Sequence, residues 1–352
     1  MGDASSNARS FPLKALALIG AAVGFVMIAF AYTAGWLSSH RLTPQELVKA
    51  LEPPGGPALG HRRNHAKGIC FTGQFEANGN GATLSKAQVF EPGQYPVIGR
   101  FNIAGPDPHM PDPMAQVRGL GIRILTRDGQ EWRSAMIDAP VFAAPTPQAF
   151  FAFLNAAASK DPNAFKQYST AHPEILTFIG WVKNHPRTES WAETRFNSLD
   201  SFVFIDSSGA RHIVRWSLIP QLPPVTIPPA ELAKRSPDFL AEDITRRVAA
   251  SPQRWELIVT VADPGDPSAD PTKAWPADRR TVDAGTLIVQ QVVAETDGPC
   301  RDINYDPTVL PPGMTTSDDP FPAARSAAYR VSYDSRIAES SNYPGAQKAE
   351  KR

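Results

Sequence analysis

The chain has 352 residues, 42% of them apolar, and its 35 basic side chains are matched by 35 acidic ones. Such a length and composition bury a substantial core and exclude disorder of the whole, and zero formal charge excludes the electrostatic footprint of a nucleic-acid binder. The 35 prolines cluster between periodic segments and predict long irregular connections over a compact centre.

The first predicted element is apolar. From Ala15 to Leu37 no charge interrupts a run that includes Leu18, Ile19, Phe25, Val26, Met27 and Phe30. A helix needs about 20 such residues to cross the hydrocarbon core. Tyr32 and Trp36 close the run with interfacial rings, while Arg9 and Lys14 precede it and favour a cytoplasmic N-terminus. The expectation is an uncleaved anchor with the rest of the chain exported to the periplasmic side. A cleaved signal peptide is the rival, weakened by the length of the run and by an imperfect small-residue site at Ala31-Tyr-Thr-Ala-Gly. The opening Met-Gly-Asp-Ala-Ser-Ser fits a myristoylation pattern by chance. The expected segments are a cytoplasmic tail at 1–14, the anchor at 15–37, a linker with a short helix at 38–56, the main domain at 57–340 and a polar tail at 341–352.

Thr43-Pro-Gln-Glu46 carries the signals of a helix start, and the helix runs to about Leu51 before Pro53-Pro-Gly-Gly breaks it. Gly60-His-Arg-Arg-Asn-His-Ala-Lys-Gly68 comes next. Read as extended, it sets Arg62 and His65 on opposite faces of the backbone. Cys70 and Cys300 are the two cysteines, and an oxidising compartment permits but does not establish their pairing. The metal-site spacings CxxC and HExxH do not occur in the sequence.

From Gly93 onward the pattern is of strands, at 95–103, 117–126 and 132–137, with a tight turn at Arg127-Asp-Gly129. Helical spacing occupies 147–159 and 174–184. Further strands are predicted at 202–206, 212–219, 254–261 and 285–293, with one helix from Pro229 to about Ala250. At least seven strands broken by helical insertions predict an α+β protein built on a closed antiparallel barrel. With neither βαβ alternation nor a phosphate-cradling glycine motif, nucleotide binding is unsupported. Near the end, Arg325, Tyr329 and Arg336 share one helical stripe, which spacing alone reads as an exposed face with a buried tyrosine.

Arg62-x-x-His65-Ala-Lys-Gly68, Arg100-Phe101, Arg118-Gly119, Pro140-Val-Phe142, Asp306-Pro-Thr308 and Arg325-x-x-x-Tyr329, in this order, resemble the haem catalases. The chain is most similar to the short catalase-related peroxidases, which keep the barrel core without the C-terminal extension of full catalases. The resemblance implies haem b with Tyr329 as iron ligand, His65 as distal acid/base, Arg62, Arg100 and Arg336 on the propionates, Arg325 beside the tyrosine and Phe150 near the distal haem edge. An arginine one turn from a phenol favours its anion, and an imidazole within reach of peroxide can carry a proton between the two oxygens.

Two departures bear on the activity. Asp138 stands where full catalases have a distal asparagine, and an ionised carboxylate cannot donate the hydrogen bond an amide can. Asn102 replaces the family's distal serine and can still bond the imidazole. Both are candidate catalytic positions, and both lean towards a peroxidase that reduces hydrogen peroxide or organic hydroperoxides with a small organic reductant. The alternatives are a true catalase and a non-catalytic haem- or lipid-binding barrel. The expected partners are therefore the peroxide, the reductant and, through the N-terminal helix, a membrane, with a homodimer as an option and no nucleic acid.

Overall fold

The computed structural model describes residues 13–34, 36–37, 41–296 and 298–342. The predicted tails before residue 13 and after 342, together with Arg9 and His40, lie outside the described residues. The chain forms two compact units, 1–43 and 44–352.

In the first unit α1 (Leu13–Thr33) carries the apolar run. The 20 residues Lys14–Thr33 are long and apolar enough to cross a membrane. At 1.5 Å per residue they cover about 30 Å. The helix stops short of the predicted Leu37. Thr33 Oγ1 turns back onto Ala29 O at 2.9 Å, and the backbone N–H of Trp36 donates to Ala31 O at 2.8 Å.

The second unit opens with α2 (Pro44–Ala50), then β1 (Gly68–Ala77), β2 (Gly93–Ile103), β3 (Arg118–Leu125) and β4 (Glu131–Ile137). An insertion carries α3 (Pro147–Ala158), α4 (Ala164–Ala171) and α5 (Ile175–Asn184). After it come β5 (Phe196–Asn197), β6 (Phe202–Ile205), β7 (Arg211–Pro220), α6 (Pro229–Leu232), α7 (Phe239–Ala250), β8 (Gln253–Val261), β9 (Thr281–Val293), β10 (Met314–Thr316) and α8 (Phe321–Asn342). Strands β1, β2, β3, β4, β5, β7, β8 and β9 close into an eight-stranded antiparallel ring, the β7–β8 pairing completing it. This is the predicted closed barrel. Outside the ring, β6 pairs with the first half of β7, and β10 pairs with β6.

Alternation along the strands fills the centre. On β4, Trp132, Ser134 and Met136 are buried while Arg133, Ala135 and Ile137 on the opposite face are half-buried. Trp132 meets Trp216 edge-on at 5.1 Å, and the Trp216 indole donates to Ser134 Oγ at 3.1 Å. Phe101 packs between Trp191 and Trp255, at 5.5 and 5.6 Å. Rings of this size supply much of the apolar burial that holds the barrel.

Several elements differ from expectation. The 60–67 segment is irregular, not extended, and strand pairing begins only at Gly68. Arg62 and His65 are therefore placed by the course of a loop. β1 falls before Gly93, where strands were expected to begin. The single helix over 229–250 is two helices, because Pro237 cannot continue a helix and disfavours the helical conformation before it. The short helix α2, placed by expectation in a linker, buries Leu47 and Val48 and packs on α8 and α3. The arginine–tyrosine stripe of α8 is no exposed face, since Arg336 is only 4% exposed.

Candidate active site

Elements from both ends of the second unit enclose one cavity of about 220 Å³. Its walls come from α2, the 62–65 loop, β2 to β4, the start of the insertion, the turn at Asn304-Tyr305 and the inner face of α8. His65 and Tyr329, from opposite ends of this unit, both line it, as do Arg62, Arg100, Asn102, Phe150, Arg325 and Arg336. Asp138 does not. Its neighbour Ile137 and its hydrogen-bond partner Asn197 contribute to that stretch of wall.

His65 is held in a conformation it would not choose. Its φ of 54° is the one positive value at a non-glycine residue among the described residues. Neighbours fix the turn: Asn64 Oδ1 accepts from the backbone N–H groups of His65 and Gly105, at 2.9 and 3.0 Å. The Arg100 guanidinium adds two bonds, donating to His65 O at 2.8 Å and Ala66 O at 3.0 Å. The imidazole Nδ1 lies 2.7 Å from Asn102 Oδ1, and the Asn102 amide nitrogen donates to Arg100 O at 3.3 Å. That second contact orients the amide with its oxygen towards the ring, so Nδ1 carries the hydrogen and Nε2 is the basic nitrogen. Gly119 makes the approach feasible, because a Cβ there would come within 2.2 Å of Asn102 Oδ1. Burial pulls the His65 pKa down to about 4; the Asn102 bond opposes this, while Arg100, Arg325 and Arg62 lower it further. The ring is neutral at pH 7.

One end of the cavity is strongly cationic. Arg62 donates through its two Nη atoms to Ile303 O and through Nη2 to Cys300 O, and Arg336 donates to Arg301 O. Arg100 pairs with Glu295 at 2.7 Å, and Arg62 Nε stands 3.5 Å from the same carboxylate. Three guanidiniums against the half-buried Glu295 and the exposed Asp302, 3.9 Å from Arg336, leave an excess of positive charge in this cluster. The strain shows in Arg62, whose pKa burial and the repulsion of Arg100 and Arg336 pull down to about 9. Arg62 Nε, Arg336 Nη2 and Tyr305 Oη, all on residues that line this cavity, are buried without a hydrogen-bond partner among the described residues. Buried donors are ordinarily paired, so Arg336 Nη2 and Tyr305 Oη, beside the cationic cluster, suit an anionic ligand at one end of an otherwise apolar slot.

Also lining the cavity, Arg325 donates to Tyr329 Oη at 3.1 Å and to Ala135 O at 3.0 Å, and it pairs with buried Asp200. Burial opposes the charge on Arg325, yet Tyr329 and Asp200 more than offset it and raise its pKa. Phe150 sits in an aromatic cluster, 5.0 Å from Phe142, which in turn meets Phe321 edge-on at 5.1 Å.

Asp138 accepts from the Arg118 backbone N–H at 3.0 Å, and burial pushes its pKa up to about 7 against the pull of Arg118. The Arg118 side chain is committed to the insertion, donating to Thr188 O, Thr188 Oγ1, Ser190 O and Thr194 Oγ1. The cysteines pair: Cys70 and Cys300 form a disulfide that joins β1 to the turn whose carbonyls receive Arg62 and Arg336. Glu295, Tyr305, Asn197 and Asp200 went unnoticed in the sequence. Tyr305 lies inside a segment that attracted attention for Asp306-Pro-Thr308, whereas nothing local marks the other three.

The comparisons agree with the geometry. Residues 58–345 match the family described as catalase. A catalase-related peroxidase of Synechococcus elongatus is 32% identical over 328 residues, 92% of this chain and 95% of that protein. A catalase-related peroxidase of Mycolicibacterium paratuberculosis is 27% identical, covering 84% of this chain and 95% of its own length. The catalase of Rattus norvegicus is 24% identical over 78% of this chain, and only 55% of its own length is matched. A solved structure titled as a bacterial catalase superposes on 79% of this chain with a TM-score of 0.69 at 21% identity, using 57% of that chain.

Proposed function

The chain belongs to the catalase family, and from that premise we propose that it is a reductant-dependent peroxidase whose acid/base group is His65 and whose iron ligand is Tyr329. As a family member it is a haem-dependent oxidoreductase acting on peroxide, and hydrogen peroxide is its substrate. The proposal concerns the finer assignment. Its main support is the meeting, on one cavity, of a neutral imidazole with its Nε2 basic and a phenol bonded by a half-buried guanidinium.

Haem supplies, when bound, an iron that activates peroxide and holds oxidising equivalents. The protein does the rest. Tyr329, its Oη bonded by Arg325, would ligate the iron, and Arg62, Arg100 and Arg336 would hold the propionates, with Glu295 trimming the excess charge. Reducing a peroxide to two waters consumes two electrons and two protons. His65 Nε2 takes the proton from one peroxide oxygen and returns it to the other, Nδ1 remaining bonded to Asn102 throughout. Low basicity keeps the ring free to accept. Phe142, Phe150 and Leu120 give the cavity an apolar wall that excludes water.

Reductant use is favoured over disproportionation by the residue at 138. Asp138 is directed onto the Arg118 N–H, and no side-chain amide from that position reaches the cavity. The electron donor is then a small organic reductant and the acceptor extends to organic hydroperoxides. The apolar helix and the disulfide together favour an anchored enzyme exported to the periplasmic side, since disulfides persist in oxidising compartments. The test compares oxygen release with dye oxidation in the haem-loaded protein, for the parent and His65→Gln. Dye oxidation should dominate in the parent and fall by roughly 100-fold or more in the variant, the usual worth of a positioned acid/base. Vigorous oxygen release without reductant would make it a true catalase, and an unchanged variant would make it a binding barrel.

A further inference from the structure

Tyr305 is not among the residues that the family resemblance assigns to the haem. It lines the cavity at its cationic end and is 6% exposed, yet its hydroxyl has no hydrogen-bond partner among the described residues. Leaving a phenol O–H unpaired in the interior is costly, and a phenylalanine would fill the same space without that cost. The surroundings hold the ring firmly in place. Arg62 lies over its face, 5.8 Å from the centroid, and a Cβ on Gly121 would come within 2.9 Å of it.

The backbone on both sides is tied down as well. Arg133 donates to Asn304 O at 2.7 Å, and Asp306 accepts from Thr308 N, Thr308 Oγ1 and, on α8, Ser326 Oγ. The Asp306-Pro-Thr308 motif therefore builds a rigid turn that presents Tyr305 to the cavity and fixes it relative to Tyr329's helix. The charges that act on the phenol are Arg62, Arg100, Glu295 and Arg123, the first three being the propionate-end cluster itself. Burial raises its pKa above the ordinary phenol value, so it is a donor and not an anion at any working pH.

We propose that Tyr305 is a haem-binding residue: its Oη donates a hydrogen bond to the haem propionate held by Arg62. This rests on the haem reading above. A neutral phenol adds a directional donor where further positive charge would be repelled by the three guanidiniums, and it completes the set of orphaned donors at this end. The bond forms only on binding, so the hydroxyl strains the apoprotein and stabilises the holoprotein.

Tyr305→Phe separates this from a packing role, since it keeps the ring and removes the oxygen. Haem release from the full chain into excess apomyoglobin, the melting temperature of the apoprotein and the Soret band are compared with the parent. The expected result is haem loss roughly tenfold or more faster, the usual scale for a hydrogen bond to a charged acceptor. The apoprotein should melt at the same temperature or higher, and the Soret maximum should stay in place because the iron ligand is untouched. Release at the parental rate overturns the proposal, and a destabilised apoprotein with parental release assigns Tyr305 to the core. A parent that takes up no haem at all overturns the haem reading itself, which is a different outcome.

Discussion

His65 and Asp138 are both buried ionisable groups near the cavity whose charged forms burial disfavours, and they pull the pH dependence of stability in opposite directions. His65, with its pKa lowered to about 4, binds fewer protons folded than unfolded between about pH 4 and 6.5. Its cost is absent above pH 6.5 and grows as the pH falls. Asp138, with its pKa raised to about 7, binds more protons folded than unfolded between about pH 4 and 7. Its cost is absent below that window and grows as the pH rises. Asp138→Asn keeps the acceptor for the Arg118 N–H and removes the titration. Relative to the parent, the variant should gain stability from about pH 4 to pH 7, with a slope approaching ~1.4 kcal/mol per pH unit. Denaturant unfolding of the apoprotein at several pH values reads this directly, and a difference independent of pH would show that Asp138 is ionised when folded. At this scale the sequence motifs singled out His65, Arg325 and Tyr329, which the structure brings to one cavity. The sequence was silent on Glu295, because a carboxylate after a strand looks like any solvated one until arginines from distant positions converge on it.

Among the elements, the turn from Glu295 to Ile303 does more than connect β9 to β10. Its carbonyls receive Arg62 and Arg336, its carboxylate pairs with Arg100, and Cys300 locks it to β1. Reduction of the disulfide should therefore do two things. The loop it closes is long, so the chain-entropy account assigns it up to roughly 5 kcal/mol, enough to lower the melting temperature by about 10 °C. Amide exchange should also rise selectively around 298–303 and in the 62–65 loop. Mass-resolved hydrogen exchange with and without reductant checks the second effect, and uniform exchange would make the bridge a general staple only. Much of the element order was legible: strands with β-branched alternation and a tight turn, such as β3 and β4, and the stripe of α8. β1 was missed because Gly68, Gly73 and alternating polar residues dilute its apolar pattern, and its strand character comes from pairing with β2 and β9. Whether the cysteines pair is a matter of distance through space, and their 5.4 Å Cα separation has no trace in a spacing of 230 residues.

For the molecule as a whole, the two units predict separable behaviour. A chain beginning at Arg41 should stay in the supernatant and retain haem uptake and peroxide reactivity, whereas the full chain should sediment with membranes. Fractionation and mass measurement of the mature N-terminus test this, and loss of roughly the first 30 residues in cells would make the helix a cleaved signal. The closed barrel was legible from counting strands and insertions. The way it closes was not, since β5 is two residues long and the ring depends on it.

The ring also sets a timetable. β1 pairs with β9, and Tyr329 lies later still, on the last described helix. A ribosome that has delivered His65 and its loop has yet to make the partner strand, the sulfur that locks it and the phenol that lines the same cavity. On the proposed assignment the haem can be clamped only once the chain has been made through Tyr329, so its supply has to reach wherever that chain folds.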